Sequence, residues 1–179
     1  LKDYSGAIND YNKSIELNPR YVNAYINRGL IKDEQLQDPY GAISDYNKAL
    51  EIDPKYALSY YNRGIVKSKI GDNLGAISDY SKAIEIEPNY VDAYVNRGVA
   101  KSNLGDNSGA IFDYNKAIEI NPKYVLVYNN RGIVKSNIND YYGAISDYNK
   151  AIEINPNYVD AYYNRAISKG DLKDYSGAI

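Results

Sequence analysis

Histidine, cysteine, methionine and tryptophan are all absent from the chain of 179 residues. The absence of imidazole and thiolate removes the usual ligands of most metal sites, every disulfide and most nucleophile–base pairs of covalent catalysis. We therefore expect no metal site and no cofactor. No run of apolar residues approaches the roughly 20 that a membrane-spanning helix requires, so we expect no membrane insertion.

Excess charge of one sign is also missing, because 21 Lys and Arg oppose 23 Asp and Glu, for a formal net charge of −2. A nucleic-acid-binding surface usually shows as a basic excess, so we expect no nucleic-acid partner. The proportions of 44% hydrophobic and 25% charged residues are typical of a soluble folded protein. No segment resembles a signal peptide. The sequence leaves the compartment unknown, and we favour the cytoplasm.

What the chain contains throughout is an internal repeat. The tripeptide Gly-Ala-Ile and the dipeptide Asn-Arg recur along the whole length with one period. Such regularity is typical of a solenoid of stacked supersecondary units. The prolines mark the period with steps of 35, 34, 34 and 34 residues, at Pro19, Pro54, Pro88, Pro122 and Pro156.

The unit 57–90 has the hydrophobic spacing of two helices. In its second half, apolar residues recur at i, i+1, i+4, i+7 and i+8 from Ala76, which is one face of a helix. Gly71 suits the left-handed conformation just past a helix, Asp72 suits an N-cap, and Pro88 ends the second helix. Each unit is therefore predicted to be a helical hairpin.

The residue pattern of this unit resembles that of the tetratricopeptide repeat (TPR). Arg63 and Lys67 depart from its pattern, where Leu and Tyr are usual, and every unit makes the same two departures. The positions that match the pattern, with Tyr in place of Trp and of Phe, are Tyr60, Gly64, Ala76, Tyr80, Ala83 and Pro88.

The resemblance implies an all-α, right-handed α-α superhelix: one TPR array over residues 1–179, with four full repeats and partial repeats at both ends. The first full repeat has one extra residue within Asp33–Gln35, where we expect a bulge or a longer turn. The expected boundaries are 1–21, 22–56, 57–90, 91–124, 125–158 and 159–179.

Ionisable side chains recur once per unit, whereas a catalytic site is a single asymmetric constellation, so we predict no catalytic residue and no enzyme activity. Arg63 and Lys67 lie four residues apart on one face of the first helix, and Asp79 recurs before a core tyrosine of the second. We expect a ladder of Arg–Asp ion pairs within or between units. A phosphate- or carboxylate-binding role for these cations is the alternative.

An asparagine recurs on one face of every first helix, which the resemblance places in a concave groove. This row resembles the asparagine-lined groove of O-linked N-acetylglucosamine transferases, where amides hold the backbone of an extended peptide. An amide both donates and accepts hydrogen bonds, as a peptide backbone does. The alternative is that each asparagine bonds the neighbouring helix. The predicted groove residues are Asn27, Asn62, Asn96, Asn130, Asn164, Tyr61, Tyr163, Lys69, Asn103 and Asn137.

Tyr61 and Tyr163 belong to this prediction because the residue type at their position varies from unit to unit, whereas the surrounding repeat is constant. A variable position of this kind is where a specific partner could be recognised. Another TPR class clamps a C-terminal carboxylate with Lys and Asn. No Lys precedes any of the five asparagines by four residues, so we expect no such clamp. Those positions hold Asn23, Leu58, Asp92, Leu126 and Asp160.

Together these observations predict a non-enzymatic scaffold that binds an extended peptide or a protein partner in its groove. Two alternatives remain open at this point. One is a structural array in which copies stack end to end. The other is a set of targeting repeats that belongs to a larger enzyme.

Overall fold

The structure is a computed structural model that describes residues 3–172, and within this range it contains ten α-helices and no strand. The helices are α1 (Tyr4–Leu17), α2 (Val22–Glu34), α3 (Pro39–Ile52), α4 (Ala57–Lys69), α5 (Asn73–Ile86), α6 (Val91–Asn103), α7 (Asn107–Ile120), α8 (Val125–Asn137), α9 (Tyr141–Ile154) and α10 (Val159–Asp171). The predicted all-α class is thus confirmed, and the helices follow one another as helical hairpins.

The odd-numbered helices are the second helices of the hairpins, and an N-capping aspartate precedes each of them. The Asp72 carboxylate accepts a hydrogen bond from the Gly75 backbone N–H at 2.9 Å. This contact satisfies one of the amides that the first turn leaves unpaired. The predicted cap at Asp72 is confirmed. The equivalent caps are Asp3, Asp38, Asp106 and Asp140.

The turns inside the hairpins require a left-handed residue just before the capping aspartate. Gly71 supplies it with φ of 85°, whereas Gln37 takes the same role with φ of 53°. Helices α2 and α4 both have 13 residues. The extra residue of the first full repeat therefore lies in the turn at 35–37. The predicted longer turn is confirmed, but it begins only at the last residue of the predicted segment Asp33–Gln35, because Asp33 and Glu34 belong to α2.

Within a hairpin, a glycine of the first helix lets the ring of a buried tyrosine approach the backbone. A Cβ on Gly98 would lie 2.7 Å from Cε1 of Tyr114, which is closer than real carbon atoms approach. Tyr114 is 2% exposed. The predicted core role of this tyrosine position is therefore confirmed. Burial raises the pKa of Tyr114, and it raises the pKa of the equivalent Tyr148 to about 12.

The chain divides into two compact units, Leu1–Ala93 and Tyr94–Ile179. In the first unit, α2 packs on α3, α4 on α5, and α3 on α4. In the second unit, α7 and α9 pack on α8, and α10 packs on α9. Small buried residues at these contacts let the helices approach closely. They include Ala49, Ala83, Ala117 and Ala151.

A buried ion-pair cluster joins the two helices of each full hairpin. The carboxylate of Asp79, 3% exposed, accepts hydrogen bonds from Nε of Arg63 at 2.9 Å and from Nη2 at 2.5 Å. Lys67 Nζ lies 2.8 Å from the same carboxylate. The predicted Arg–Asp ladder is confirmed, and each pair is formed within one hairpin. The equivalent aspartates are Asp45, Asp113 and Asp147.

The same arginine also reaches the preceding hairpin. Nη1 of Arg63 donates to Oδ1 of Asn47 on α3 at 2.6 Å, and its guanidinium carbon lies 5.5 Å from the centre of the Tyr60 ring. One side chain thus contacts three helices. The other arginines with this asparagine contact are Arg28, Arg131 and Arg165.

Candidate functional site

The two predicted groove residues of α8, Asn130 and Asn137, share one face of that helix with Leu126 and Ile133, because the four residues are spaced by four, three and four. Leu126 and Ile133 on this face are 39% and 37% exposed, and Asn130 between them is half-buried. Asn137 at the end of the helix is exposed. Amide and aliphatic side chains therefore alternate along a partly accessible surface.

A cavity of about 160 Å³ opens on this face between α6 and α8, within the second unit. Two of the predicted groove residues, Asn103 and Asn130, line it. No hydrogen bond from the Asn130 amide to another described residue is found. Its full lining is Val99, Ser102, Asn103, Tyr114, Asn130, Ile133 and Val134.

Val99 and Ile133 share the helix faces of the two asparagines, whereas the other three lining residues, Ser102, Val134 and Tyr114, were missed by the sequence analysis. Ser102 lines the cavity from α6, Val134 lines it from α8, and Tyr114 lines it from α7. Tyr114 was assigned to packing alone. A signal was present, since Ser102 occupies the position that Asp33 holds in the first repeat, and a small side chain there leaves space.

The interval between α8 and α10 is bridged by side chains. Nδ2 of Asn164 donates to Oδ1 of Asn129 at 3.0 Å, and the hydroxyls of Ser136 and Ser168 lie 3.2 Å apart. Asn129 is 4% exposed. For Asn164, then, the alternative interpretation, in which the asparagine bonds the neighbouring helix, is confirmed.

In the first unit the two asparagines of the row differ from each other. Asn27 on α2 is exposed, whereas Asn62 on α4 is only 7% exposed. Lys69 at the end of α4 forms an ion pair with Asp33 of α2 at 2.6 Å, so this predicted groove residue is already engaged with the neighbouring helix. Asn96 on α6 is half-buried.

The two tyrosines predicted to read a partner also have different surroundings. The Tyr61 ring packs 4.7 Å from the Tyr90 ring and 6.0 Å from the Tyr80 ring, in a core cluster. Tyr163 on α10 is 67% exposed. A contact with a partner stays a prediction for both, and only Tyr163 offers a large accessible ring.

Residues 3–172 contain no group of three or more acidic side chains placed to hold a metal ion. None of the helices in that same range has the length and apolar character needed to cross a bilayer.

Family models of repeat proteins match the chain over most of its length. The model described as tetratricopeptide repeat matches residues 91–124 and 125–158, and a second model with this description matches 147–179. A model described as TPR repeat matches 1–35, 40–71 and 68–105. No curated protein sequence matches the chain.

Several solved structures share the fold. The crystal structure of MamA is 28% identical, with a TM-score of 0.80 over 85% of this chain and 88% of that one. YrrB, described as a TPR protein with an unusual peptide-binding site, is 24% identical, with a TM-score of 0.78 over 94% and 87%. The first TPR of Spaghetti (RPAP3), bound to the HSP90 peptide SRMEEVD, is 26% identical, with a TM-score of 0.64 over 68% and 96%.

Proposed function

Because the chain belongs to the tetratricopeptide repeat family, we propose that it is a non-enzymatic scaffold that binds an extended peptide, or an extended segment of a partner protein, on the groove face of its first helices. The observation that carries this proposal is the cavity between α6 and α8, which is bordered by the amides of Asn103 and Asn130. An amide pairs with the N–H and C=O groups of a peptide whatever its side chains are. The aliphatic residues beside it provide apolar contact area.

The surroundings of the charged groups support a binding role rather than a catalytic one. Asp113 is fully buried between Arg97 and Lys101, so its charge serves the packing of one hairpin. The same cluster recurs at Asp45, Asp79 and Asp147. The buried acidic groups of the four hairpins, together with their basic partners, are thus committed to structural pairs.

The RPAP3 structure supports peptide binding by this fold at 26% identity. The proposal does not extend to acidic C-terminal peptides of the kind bound there. A carboxylate clamp uses a Lys four residues before the asparagine. In the second unit Leu126 and Asp160 occupy that position before Asn130 and Asn164.

A displayed library of linear peptides, selected on the purified chain, tests the proposal. We expect enriched peptides to bind the chain, and to bind a variant with Asn103→Ala and Asn130→Ala at least about threefold more weakly, because each lost hydrogen bond contributes about 0.5–1.5 kcal/mol. The variant's helicity, measured by circular dichroism, should be unchanged. Equal binding of the enriched peptides by a fully helical variant would overturn the proposal.

The alternative hypothesis is a structural array in which copies of the chain stack end to end. Light scattering over a concentration series tests it, because a scaffold that does not self-associate remains a particle of 20.1 kDa at every concentration. The hypothesis of targeting repeats within a larger enzyme is tested by the mass of the native polypeptide.

A further inference from the structure

Three intervals between neighbouring first helices differ in the side-chain contacts that cross them. Between α2 and α4, in the first unit, the ion pair of Asp33 and Lys69 crosses the interval at 2.6 Å. Between α8 and α10, in the second unit, the Asn129–Asn164 and Ser136–Ser168 contacts cross it. Between α6 and α8 the cavity remains.

The cavity and the Asp33–Lys69 ion pair occupy equivalent places in the repeat. Asp33 and Ser102 each follow the lysine that pairs with the core aspartate, and Lys69 and Asn137 are each the last residue of their helix. Across the α2–α4 interval these two positions hold an acid and a base, which form an ion pair. Across the α6–α8 interval the same positions hold a serine and an asparagine. The smaller, uncharged side chains form no ion pair across the α6–α8 interval, where the cavity opens.

The size and lining of the cavity suit one aliphatic side chain. A space of about 150 Å³ with an apolar lining is enough to hold a molecule the size of benzene, and this cavity measures about 160 Å³. Val99, Ile133 and Val134 provide apolar surface for this side chain. The side-chain amides of Asn103 and Asn130 also line the cavity, where they can form hydrogen bonds with the peptide backbone on either side of the anchored residue.

The charge of the surrounding surface selects the rest of the peptide. Helix α10 carries two exposed acidic residues on its groove face, Asp160 and Asp171, which lie four residues before and seven residues after Asn164. Neighbouring helix axes lie about 8–10 Å apart, so α10 is about 12–15 Å from the middle of the α6–α8 interval. An extended chain covers that distance in about four residues.

We propose that the cavity between α6 and α8 binds one aliphatic side chain of an extended cationic peptide, whose Lys or Arg, about four residues away, pairs with the acidic side chains of α10. This inference rests on the proposed function, because it specifies which peptide the groove binds and where. The preference is opposite to that expected of a carboxylate clamp.

Three labelled nine-residue peptides of Ser and Gly test the inference by fluorescence anisotropy. The first has Leu at its centre and Lys four residues away on each side. The second replaces Leu by Ser, and the third replaces both Lys by Glu. We expect the Ser peptide to bind at least about tenfold more weakly, because it buries no aliphatic side chain. We expect the Glu peptide to bind about threefold or more weakly, by a margin that shrinks at high salt.

Two variants locate the site. Ser102→Asp with Asn137→Lys places the acid–base pair of the first unit across the cavity, and should weaken the Leu peptide about tenfold or more while the helicity stays unchanged. Lys150→Gln with Glu153→Gln, which removes an exposed ion pair on α9, is the matched control and should bind as the unmodified chain does.

Three results would each overturn the inference. The first is equal affinity for the Leu and Ser peptides, and the second is a Glu peptide that binds as well as the Leu peptide. The third is full binding of the Leu peptide by the Ser102→Asp, Asn137→Lys variant. If library-selected peptides bind through Asn103 and Asn130 while none of the three designed peptides binds, only this inference fails. If no peptide of either kind binds, the proposed function fails with it.

Discussion

Asp113 offers the sharpest test of how the hairpins are held together, because its side chain is completely buried between two cations. Oδ2 accepts from Nε of Arg97 and lies near Nζ of Lys101, both at 2.9 Å, and Oδ1 accepts from Nη2 of Arg97 at 2.6 Å. Asp113→Asn keeps the shape, but it turns an NH₂ group toward at least one cationic donor. It also leaves two charges without their counter-charge.

We expect this substitution to lower the free energy of unfolding by about 3–5 kcal/mol, the usual cost of breaking a buried ion pair from one side. The matched control is Glu119→Gln on the same helix, whose carboxylate is 62% exposed and pairs with Lys116 at 2.7 Å. Exposed pairs contribute about 0–1 kcal/mol. Urea denaturation followed by circular dichroism measures both variants, with the slope checked as well as the midpoint.

A loss for Asp113→Asn no larger than that for Glu119→Gln would refute the reasoning. A triple variant, Asp113→Leu with Arg97→Met and Lys101→Met, adds a second test. Replacing all partners by apolar groups removes the unpaired charges, so it should recover most of the stability that the single substitution loses. A triple variant as unstable as Asp113→Asn would show that packing, rather than charge pairing, sets the cost.

Three further outcomes are expected. Gly98→Ala should cost about 1–3 kcal/mol in a urea titration, because the new Cβ overlaps the Tyr114 ring in a closed core. Gln37→Gly should raise the midpoint of thermal unfolding, with a gain of about 1 kcal/mol, because glycine adopts φ of 53° without steric cost. Stability should fall between about pH 10 and pH 12, because folded Tyr148, with a pKa near 12, keeps a proton that the unfolded chain releases. Tyr148→Phe should flatten that fall by up to about 1.4 kcal/mol per pH unit in urea titrations.

Each of these three outcomes has a control on the same chain. Gly71→Gln reverses the change at Gln37 and should be destabilising, since Gly71 has φ of 85°. Tyr142→Phe alters a ring that is 78% exposed and should leave the alkaline slope unchanged. Ser108→Ala, at an exposed site in the first turn of α7, should cost far less than Gly98→Ala. Equal effects within any pair would contradict the corresponding structural argument.

The fold was predictable from the sequence because its determinants are local and repeated. Asp72 caps the helix that begins at the next residue, Gly71 turns the chain just before it, and Pro88 follows the end of that helix. The Arg63–Asp79 pair is less local, but it was predictable because the two opposite charges recur together in every unit. The contact of Arg63 with Asn47 was missed, although an asparagine follows the core tyrosine of the second helix in most units.

The candidate site was predictable only as a row of positions. The sequence makes the five asparagines equivalent, but their surroundings depend on a second side chain roughly one repeat away. Asn164 is engaged because Asn129 replaces an apolar residue on the neighbouring helix. Lys69 is engaged because Asp33 stands where Ser102 stands later. Reading each row position together with the next repeat, rather than alone, would have separated these cases.

The arginine that contacts two hairpins has a consequence for cooperativity. When the hairpin that carries Asn47 opens, Arg63 of the next hairpin loses a hydrogen-bond acceptor, so the stability of one hairpin depends on its neighbour. Arg131 and Asn115 couple α8 to α7 in the second unit in the same way. Such nearest-neighbour coupling makes a linear array unfold in blocks rather than one hairpin at a time. Amide protons of α3 and α4 should accordingly exchange with solvent at a common rate.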